Sequence, residues 1–280
     1  MENTKKVRIL HSVALACNIL VVTTVVYAIC EMLVGNQAGN MNLGVKTFRY
    51  FTNLSNILVA VMTMFVLPFN INSIKSGKNE LPVWTMICQY VGTASVTVTF
   101  LTVILFLGPM QGYPIMFAGP CIFLHCITPI LAIVSTCVLA TFDKMKFRYT
   151  FCGLIPSLLY SIAYMIAVLG TKTWDDYYGF TFGGKMWTVP LSLIGTQLAT
   201  YVFSLGLWAL QNLMHDVFFD RADLKKSLKQ RREERMEKRI MLIKDVEDVE
   251  NEALQIVRTE MKNGEQAIAC DTQDETMKKV

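Results

Sequence analysis

The chain has 280 residues, of which 53% are hydrophobic and 17% are charged, with a formal net charge of +4 and a mean hydropathy of +0.40. This composition lies outside the balance of soluble globular proteins. It excludes a soluble enzyme and gives no indication of a nucleic-acid partner. Much of the apolar surface must instead face lipid.

Six long apolar runs follow one another along the chain. They cover residues 8–33, 49–70, 83–107, 120–142, 150–170 and 188–212. Each is long enough to cross a hydrocarbon core, which needs roughly 20 largely apolar residues in a helix. The sequence therefore predicts an all-α, polytopic membrane protein, with a six-helix transmembrane bundle over residues 1–215. The first run is too long for a signal-peptide core and is predicted to be a retained span.

Lysine and arginine set the predicted orientation, because the cytoplasmic flanks of spans are enriched in both. One side of the runs carries Lys5, Lys6, Arg8, Lys75, Lys78, Lys144, Lys146, Arg148, Arg221, Lys225, Lys226, Lys229, Arg231 and Arg232. The opposite side carries only Lys46, Arg49, Lys172 and Lys185. Both termini are therefore predicted to be cytoplasmic, in a multi-pass protein of the cell membrane.

A charged tail, residues 216–280, follows the sixth run. It begins basic, becomes acidic and carries apolar residues at nearly helical spacing, which predicts a charged cytoplasmic helix. The end, from Asn263 to Val280, is predicted to be disordered. Three interpretations of the helix stay open: a solvated helix, a helix on anionic headgroups, and a helix that pairs with a partner helix.

Cysteine and histidine give no metal or haem signal. The eight cysteines form no CxxC or Cys/His cluster, so no metal site is predicted. Two axial imidazoles must lie on facing helices at one depth, and His125 has no such partner because His11 and His215 lie at the predicted cytoplasmic edge. No cofactor is therefore predicted. The middle of the runs also lacks the acids or arginine series of an ion pump or voltage sensor.

The second run has an unusually polar start. Thr52 lies about one turn inside the predicted outer boundary, and Ser55 and Asn56 follow at i+3 and i+4 on the same helical face. A polar face must point into the bundle. Two interpretations stay open: interhelical hydrogen bonding, which is a common use of such residues in spans, or a functional site.

The fourth run carries one histidine, His125, about one and a half turns inside an otherwise apolar helix. By the predicted orientation, Thr52 and His125 lie at similar depth in the outer half of the bilayer. A hydroxyl paired with a neutral imidazole is the minimal nucleophile and base. Alternatively, His125 bonds a backbone carbonyl, and one is free nearby because Pro129 has no N–H to offer the carbonyl of His125. The residues alone leave both interpretations open.

Two motifs carry a resemblance to a known family. They are Tyr50-Phe51-Thr52-Asn53-Leu54-Ser55-Asn56 in the second run and Leu124-His125-Cys126-Ile127-Thr128-Pro129 in the fourth. In a six-span chain of this size, the pair resembles the androgen-induced-gene-one-like family and its bacterial six-span relatives, over about residues 8–212. Characterised animal members are integral-membrane threonine hydrolases that cleave fatty-acid esters of hydroxy fatty acids. They use one intramembrane threonine and one histidine, and the matching positions look like Thr52 and His125.

The resemblance implies a lipid ester as substrate, with Thr52 attacking the acyl carbonyl and His125 accepting the hydroxyl proton. Asn53, Ser55 and Asn56, or backbone N–H groups at the start of the span, are candidates to contact the substrate or to stabilise the oxyanion. These three polar residues also depart from the animal pattern. They make the chain look closer to the bacterial branch.

The predicted outer loop between the fifth and sixth runs places aromatic residues beside two acids. Asp175 and Asp176 are candidates to orient His125, which is the role of the third group in a triad. The neighbouring Trp174, Tyr177 and Tyr178 form either a lid over an outward-opening cavity or an interfacial aromatic belt.

Two function classes remain open on the sequence. In the first, the bundle is a membrane hydrolase of fatty-acyl esters, with membrane lipids and a lipid ester as its partners. In the second, the polar residues of the second and fourth runs form a pocket that binds a lipid or a small solute without chemistry. The protein is then a transporter or sensor, and the tail is its cytoplasmic output.

Overall fold

The computed structural model describes residues 2–34, 43–139, 143–220, 232–233 and 235–244. The chain divides into two units, Met1–Phe219 and Asp220–Val280. Across the described residues the regular structure is helical and contains no strand, which confirms the predicted all-α class.

Six helices follow one another in the described part of the first unit. They are α1 (Glu2–Val34), α2 (Phe51–Ser76), α3 (Val83–Gln111), α4 (Phe123–Leu139), α5 (Phe147–Gly170) and α6 (Met186–Phe219). All except α4 are long and apolar enough to cross a membrane, so the chain is a multi-pass membrane protein. The shorter α4 coincides with the fourth predicted span, whose residues 140–142 lie outside the described part. The count of six spans stays a prediction.

Two shorter elements connect these helices. A 3₁₀-helix, Gly44–Arg49, precedes α2, and a single helical turn, Tyr113–Met116, lies between α3 and α4. In the second unit, residues 232–233 and 235–244 are helical. Of the predicted tail, residues 216–220 are also helical, and the first four of them belong to α6. Its acidic part and its predicted disordered end lie outside the described residues.

Helices α2 and α3 approach each other closely at a glycine. A Cβ atom on Gly92 of α3 would lie 2.8 Å from the Cα of Val59 on α2. Small residues permit such backbone approach in membranes, where the hydrophobic effect does not drive helices together. Gly92 therefore permits the backbones of α2 and α3 to approach closely at this point.

Buried polar side chains join further helices. The amide of Gln89 on α3 donates to Asn18 Oδ1 of α1 at 3.1 Å and to Ser135 Oγ of α4 at 3.2 Å. Ser135 also donates to Asn18 Oδ1 at 2.5 Å. Since an unsatisfied polar group in hydrocarbon is costly, this network fixes the register of three helices.

One end of the bundle brings together the end of α1 and the starts of α2 and α4. Met32 of α1, Ala60 of α2 and Leu124 of α4 belong to one apolar cluster, against which Ile57 packs. We call this end of the bundle the site end, because it carries Thr52 and His125.

Candidate functional site

The N-terminus of α2 is capped by a tyrosine from the segment between α5 and α6. The backbone N–H of Phe51 donates to Tyr178 Oη at 3.0 Å. Burial raises the pKa of Tyr178 to about 12, so the phenol is neutral near pH 7. The side chain therefore provides a stable acceptor for one of the N–H groups that a helix start leaves unsatisfied.

A second tyrosine secures the residue before this helix start. Tyr160 Oη of α5 donates to the carbonyl of Arg49 at 2.7 Å. The ring of Tyr50 packs edge-on against Tyr177, with the centroids 5.0 Å apart. Tyr160 of α5 and Tyr178 of the segment after α5 thus hold the backbone on the two sides of Tyr50, immediately before Thr52.

The polar side chains around Thr52 are engaged in hydrogen bonds. Asn53 Nδ2 donates to the carbonyl of Thr47 at 2.8 Å. Ser55 Oγ lies 2.9 Å from the carbonyl of Thr52 and 3.0 Å from Thr99 Oγ1 of α3. All three side chains of the predicted oxyanion group are buried, with Asn53 3%, Ser55 1% and Asn56 0% exposed. For Ser55, this is the interhelical bonding that the sequence left as one interpretation.

Asn56 ties the start of α2 to the start of α4. Its Nδ2 donates to the carbonyl of Thr52 at 2.7 Å and to the carbonyl of Leu124 at 3.1 Å. Leu124 is the residue before His125. One amide nitrogen thus contacts the backbone of the predicted nucleophile and the backbone next to the predicted base. Both of its hydrogens are used, so it has none left for an oxyanion.

Thr52 differs from these neighbours. Its side chain is half-buried, and its hydroxyl has no hydrogen-bond partner among the described residues. The N–H groups of Asn53 and Leu54 both donate to the carbonyl of Tyr50, at 3.1 and 3.2 Å, and that of Phe51 donates to Tyr178. Within the described part of the chain, the N–H of Thr52 has no acceptor. The residue therefore combines an unpaired hydroxyl with an unpaired helix-start N–H.

His125 lies in a wide turn of α4. Residues Phe123–Ile127 form a π-helical segment in which the N–H of Thr128 reaches back to the carbonyl of Phe123. Pro129 has no N–H for the carbonyl of His125, and the wider turn accommodates this loss. Four other π-helical segments occur among the described residues, so the wide turn alone does not distinguish this position.

The imidazole of His125 is oriented by a backbone carbonyl. Its Nδ1 lies 2.6 Å from the carbonyl oxygen of Met116, in the short helical turn before α4. Because a carbonyl only accepts, Nδ1 carries the proton and Nε2 keeps its lone pair in the neutral ring. Nε2 has no partner within the described ranges. The ring therefore bonds a backbone carbonyl, which was one of the two interpretations of the sequence, and its Nε2 is still available as a base.

Asp175 and Asp176 do not lie where a group that orients His125 would lie. The carboxylate of Asp176 accepts hydrogen bonds from Tyr164 Oη at 3.0 Å, from the N–H of Phe180 at 2.9 Å, and from the N–H and hydroxyl of Thr181 at 2.8 and 2.6 Å. Asp175 has an exposed side chain. The carbonyl of Met116, and not Asp175 or Asp176, is the group that bonds the ring of His125.

The carboxylate of Asp176 organises the segment that caps α2. Burial raises its pKa, but the hydrogen bonds from Thr181, Tyr164 and Phe180 outweigh burial, and the net pKa lies below the ordinary value of 3.8. Tyr164 Oη also accepts the N–H of Tyr178 at 3.0 Å. Asp176 thus positions Tyr178 through Tyr164.

Two contributors to the site were not predicted from the sequence. The carbonyl of Met116 has no sequence signal, because every residue carries a carbonyl. Tyr178 was noted only as part of an aromatic group, although its place two residues after a paired acid in a Gly-rich loop was visible. The described residues contain no group of three or more His, Cys, Asp or Glu side chains that could hold a metal ion.

Comparison with known proteins finds no matching family model, no similar curated protein and no similar solved structure. The residues at the site end and their contacts therefore carry the functional assignment.

Proposed function

We propose that the protein is a membrane hydrolase of fatty-acyl esters, with Thr52 as nucleophile and His125 as base. One observation carries the proposal. On the polar face of α2, Asn53, Ser55 and Asn56 are engaged in hydrogen bonds, whereas the hydroxyl of Thr52 has no partner among the described residues. The resemblance to the androgen-induced-gene-one-like family selects the same threonine and histidine.

His125 is the base in this mechanism. The bond from Nδ1 to Met116 fixes the tautomer, so Nε2 accepts the proton as Thr52 Oγ1 attacks the acyl carbonyl carbon. Nε2 then returns this proton to the leaving alkoxide. The products of this half-reaction are an alcohol and an acyl ester on Thr52.

The oxyanion is stabilised at the start of α2. The side-chain nitrogens of Asn53 and Asn56 already donate to backbone carbonyls, which leaves the N–H of Thr52 as the donor in the first turn. A helix N-terminus favours negative charge because its N–H groups and dipole point outward. Removing one donor of an oxyanion hole typically slows a reaction by about 10²–10³-fold.

The site end faces the outside of the cell membrane in this proposal, and both termini are cytoplasmic. The support is the distribution of lysine and arginine, which is dense beside the opposite ends of the helices. The acyl chain of the substrate then enters from the outer leaflet, and membrane lipids surround the bundle. The tail helix remains available to pair with a partner helix in the cytoplasm.

A hydroxyl-directed fluorophosphonate tests the nucleophile. We expect the purified wild-type protein to be labelled and Thr52→Val, which keeps the shape of the side chain, to lose the label. His125→Asn separates the two interpretations of the histidine, because the asparagine nitrogen can still donate to Met116 but provides no base. We expect its labelling to fall by about 10²–10⁴-fold while the protein stays folded.

Two results would reject this assignment. If Thr52→Val is labelled at the wild-type rate, Thr52 is not the nucleophile. If labelling is lost in Ser55→Ala alone, the reactive hydroxyl is that of Ser55 and not that of Thr52. If neither the wild type nor any variant is labelled, the hydrolase proposal fails, and binding of a lipid or a small solute without chemistry is the function to test next.

A further inference from the structure

The side-chain oxygen of Asn56 is an unsatisfied acceptor in the interior of the bundle. Asn56 is 0% exposed, and its Oδ1 has no hydrogen-bond partner among the described residues. An unmade hydrogen bond of this kind costs about 1–3 kcal/mol. A polar group at such a position normally binds a donor, and an ordered water is the usual one.

The position of this oxygen is fixed by the nitrogen on the same amide group. That nitrogen contacts the carbonyls of Thr52 and Leu124, so it lies between the backbones of α2 and α4. Oδ1 belongs to the same amide group and therefore lies close to both backbones. His125 follows Leu124 directly. The unsatisfied oxygen is therefore located at the contact between the helix of the nucleophile and the helix of the base.

Three groups in this part of the molecule complement one water molecule. Asn56 Oδ1 and His125 Nε2 are acceptors, and the hydroxyl of Thr52 is a donor; the described chain gives none of the three a partner. A water molecule offers two hydrogens and an oxygen that accepts. A water that bridged them would donate its two hydrogens to Asn56 Oδ1 and His125 Nε2 and, as long as Thr52 is not acylated, would accept the Thr52 hydroxyl at its oxygen.

We propose that Asn56 Oδ1 binds the water that hydrolyses the acyl-threonine intermediate. This rests on the proposed function, since it requires an acyl group on Thr52. Asn56 is a catalytic residue by this assignment, because it contacts the reacting water. No other polar side chain on this face of α2 has an unsatisfied buried acceptor in the described structure.

The hydrolytic step balances with these groups alone. The water oxygen bonds to the acyl carbon while His125 Nε2 takes one of its protons. The tetrahedral intermediate then collapses, the bond between the acyl carbon and Thr52 Oγ1 breaks, and Nε2 gives its proton to Oγ1. A carboxylic acid leaves, and Thr52 and His125 return to their initial states.

Burst kinetics with p-nitrophenyl butyrate in detergent micelles test this role, because acylation releases nitrophenol before water is used. In Asn56→Leu we expect a burst of about one equivalent, followed by turnover reduced at least tenfold. The fluorophosphonate should still label the variant, because the bond to Thr52 Oγ1 forms without the hydrolytic water. Added hydroxylamine, a nucleophile that needs no bound water, should restore turnover.

Two further variants keep the result interpretable. Asn56→Ser is smaller and can still donate a hydroxyl to the carbonyl of Thr52, so it covers the case in which the leucine variant does not fold; we expect the same burst and slow turnover. Asn18→Leu makes the same substitution at an amide of α1 that is equally buried, at 1% exposed, and bonded to Gln89. It should reduce stability without producing a burst.

The outcomes separate this proposal from the proposed function. The role of Asn56 in deacylation is overturned if both folded Asn56 variants turn over at the wild-type rate. It is also overturned if the burst is lost together with turnover. Neither outcome affects Thr52 as the nucleophile. Unchanged kinetics in Thr52→Val reject Thr52 as the nucleophile, and the proposed function fails with it.

Discussion

Tyr178 Oη lies 3.0 Å from the backbone nitrogen of Phe51, and this contact joins the segment between α5 and α6 to the first residue of the helix that carries Thr52. Helix starts are usually capped by a side chain of the preceding residues, but no such side-chain bond is made by Tyr50. The cap comes instead from a residue 127 positions away in sequence. The first turn of α2 therefore depends on the tertiary structure.

Tyr178→Phe should destabilise the first turn of α2. The ring stays, but the N–H of Phe51 loses its acceptor, at a cost of about 1–2 kcal/mol. We expect a lower temperature of unfolding in detergent, faster amide exchange at Phe51 and slower fluorophosphonate labelling of Thr52. Tyr177→Phe is the matched control, since the hydroxyl of Tyr177 makes no bond to α2 while its ring contacts Tyr50. Equal effects of the two variants would contradict the cap.

The positions of the helices were largely predictable because hydrophobic length decides them. The second run was predicted at 49–70, and α2 spans Phe51–Ser76. Its extra turns were missed because they contain polar residues. Asn70, the last residue of the predicted run, is also polar, and it lies buried beside His11 of α1, with His11 Nδ1 and Asn70 Oδ1 3.1 Å apart. A polar residue in an apolar run indicates the end of a membrane-spanning helix unless its tertiary partner is known.

The site was predictable where chemistry depends on residue type. Thr52 and His125 were visible because a polar side chain inside an apolar run is costly and therefore informative. What each neighbour does was not visible, because Asn53 and Asn56 bond backbone carbonyls that every residue has. The orienting acceptor, the carbonyl of Met116, depends on how the turn before α4 folds.

The bonds of Asp176 predict an acid-sensitive loop. Because its folded pKa is below the ordinary 3.8, its contribution to stability is fully present above that value and is lost as the pH falls through the folded pKa. We expect the fluorescence of Trp174 to report loosening of the segment below about pH 4. In Asp176→Asn, the amide cannot accept all four bonds, so the segment should be loose at every pH. A wild-type acid transition in this variant would exclude Asp176, and Asp175→Asn should leave the transition unchanged because its side chain is exposed.

The approach of α2 and α3 predicts opposite effects for two glycine substitutions. A methyl group at Gly92 would meet the backbone of Val59 at 2.8 Å, so Gly92→Ala should cost about 1–3 kcal/mol by separating the helices. Gly206 of α6 has no atom within 4 Å of an added Cβ, and Gly206→Ala should be neutral or should stabilise by up to about 1 kcal/mol. Thermal unfolding of both variants in the same detergent measures the difference. Equal shifts would mean that the helices can separate at no cost.

The distribution of basic residues predicts which end of the bundle faces the cytoplasm. We expect an epitope placed after Val280 to bind antibody only in permeabilised cells, because lysine and arginine hold their flanks on the cytoplasmic side. An epitope inserted between Gly183 and Gly184 should be accessible in intact cells. Both glycines have positive φ, and a Cβ added at either would meet no atom within 4 Å, so the loop has room for the insertion there. The reverse pattern would place Thr52 at the cytoplasmic leaflet and require a substrate made inside the cell, while Thr52 and His125 would keep the roles proposed for them.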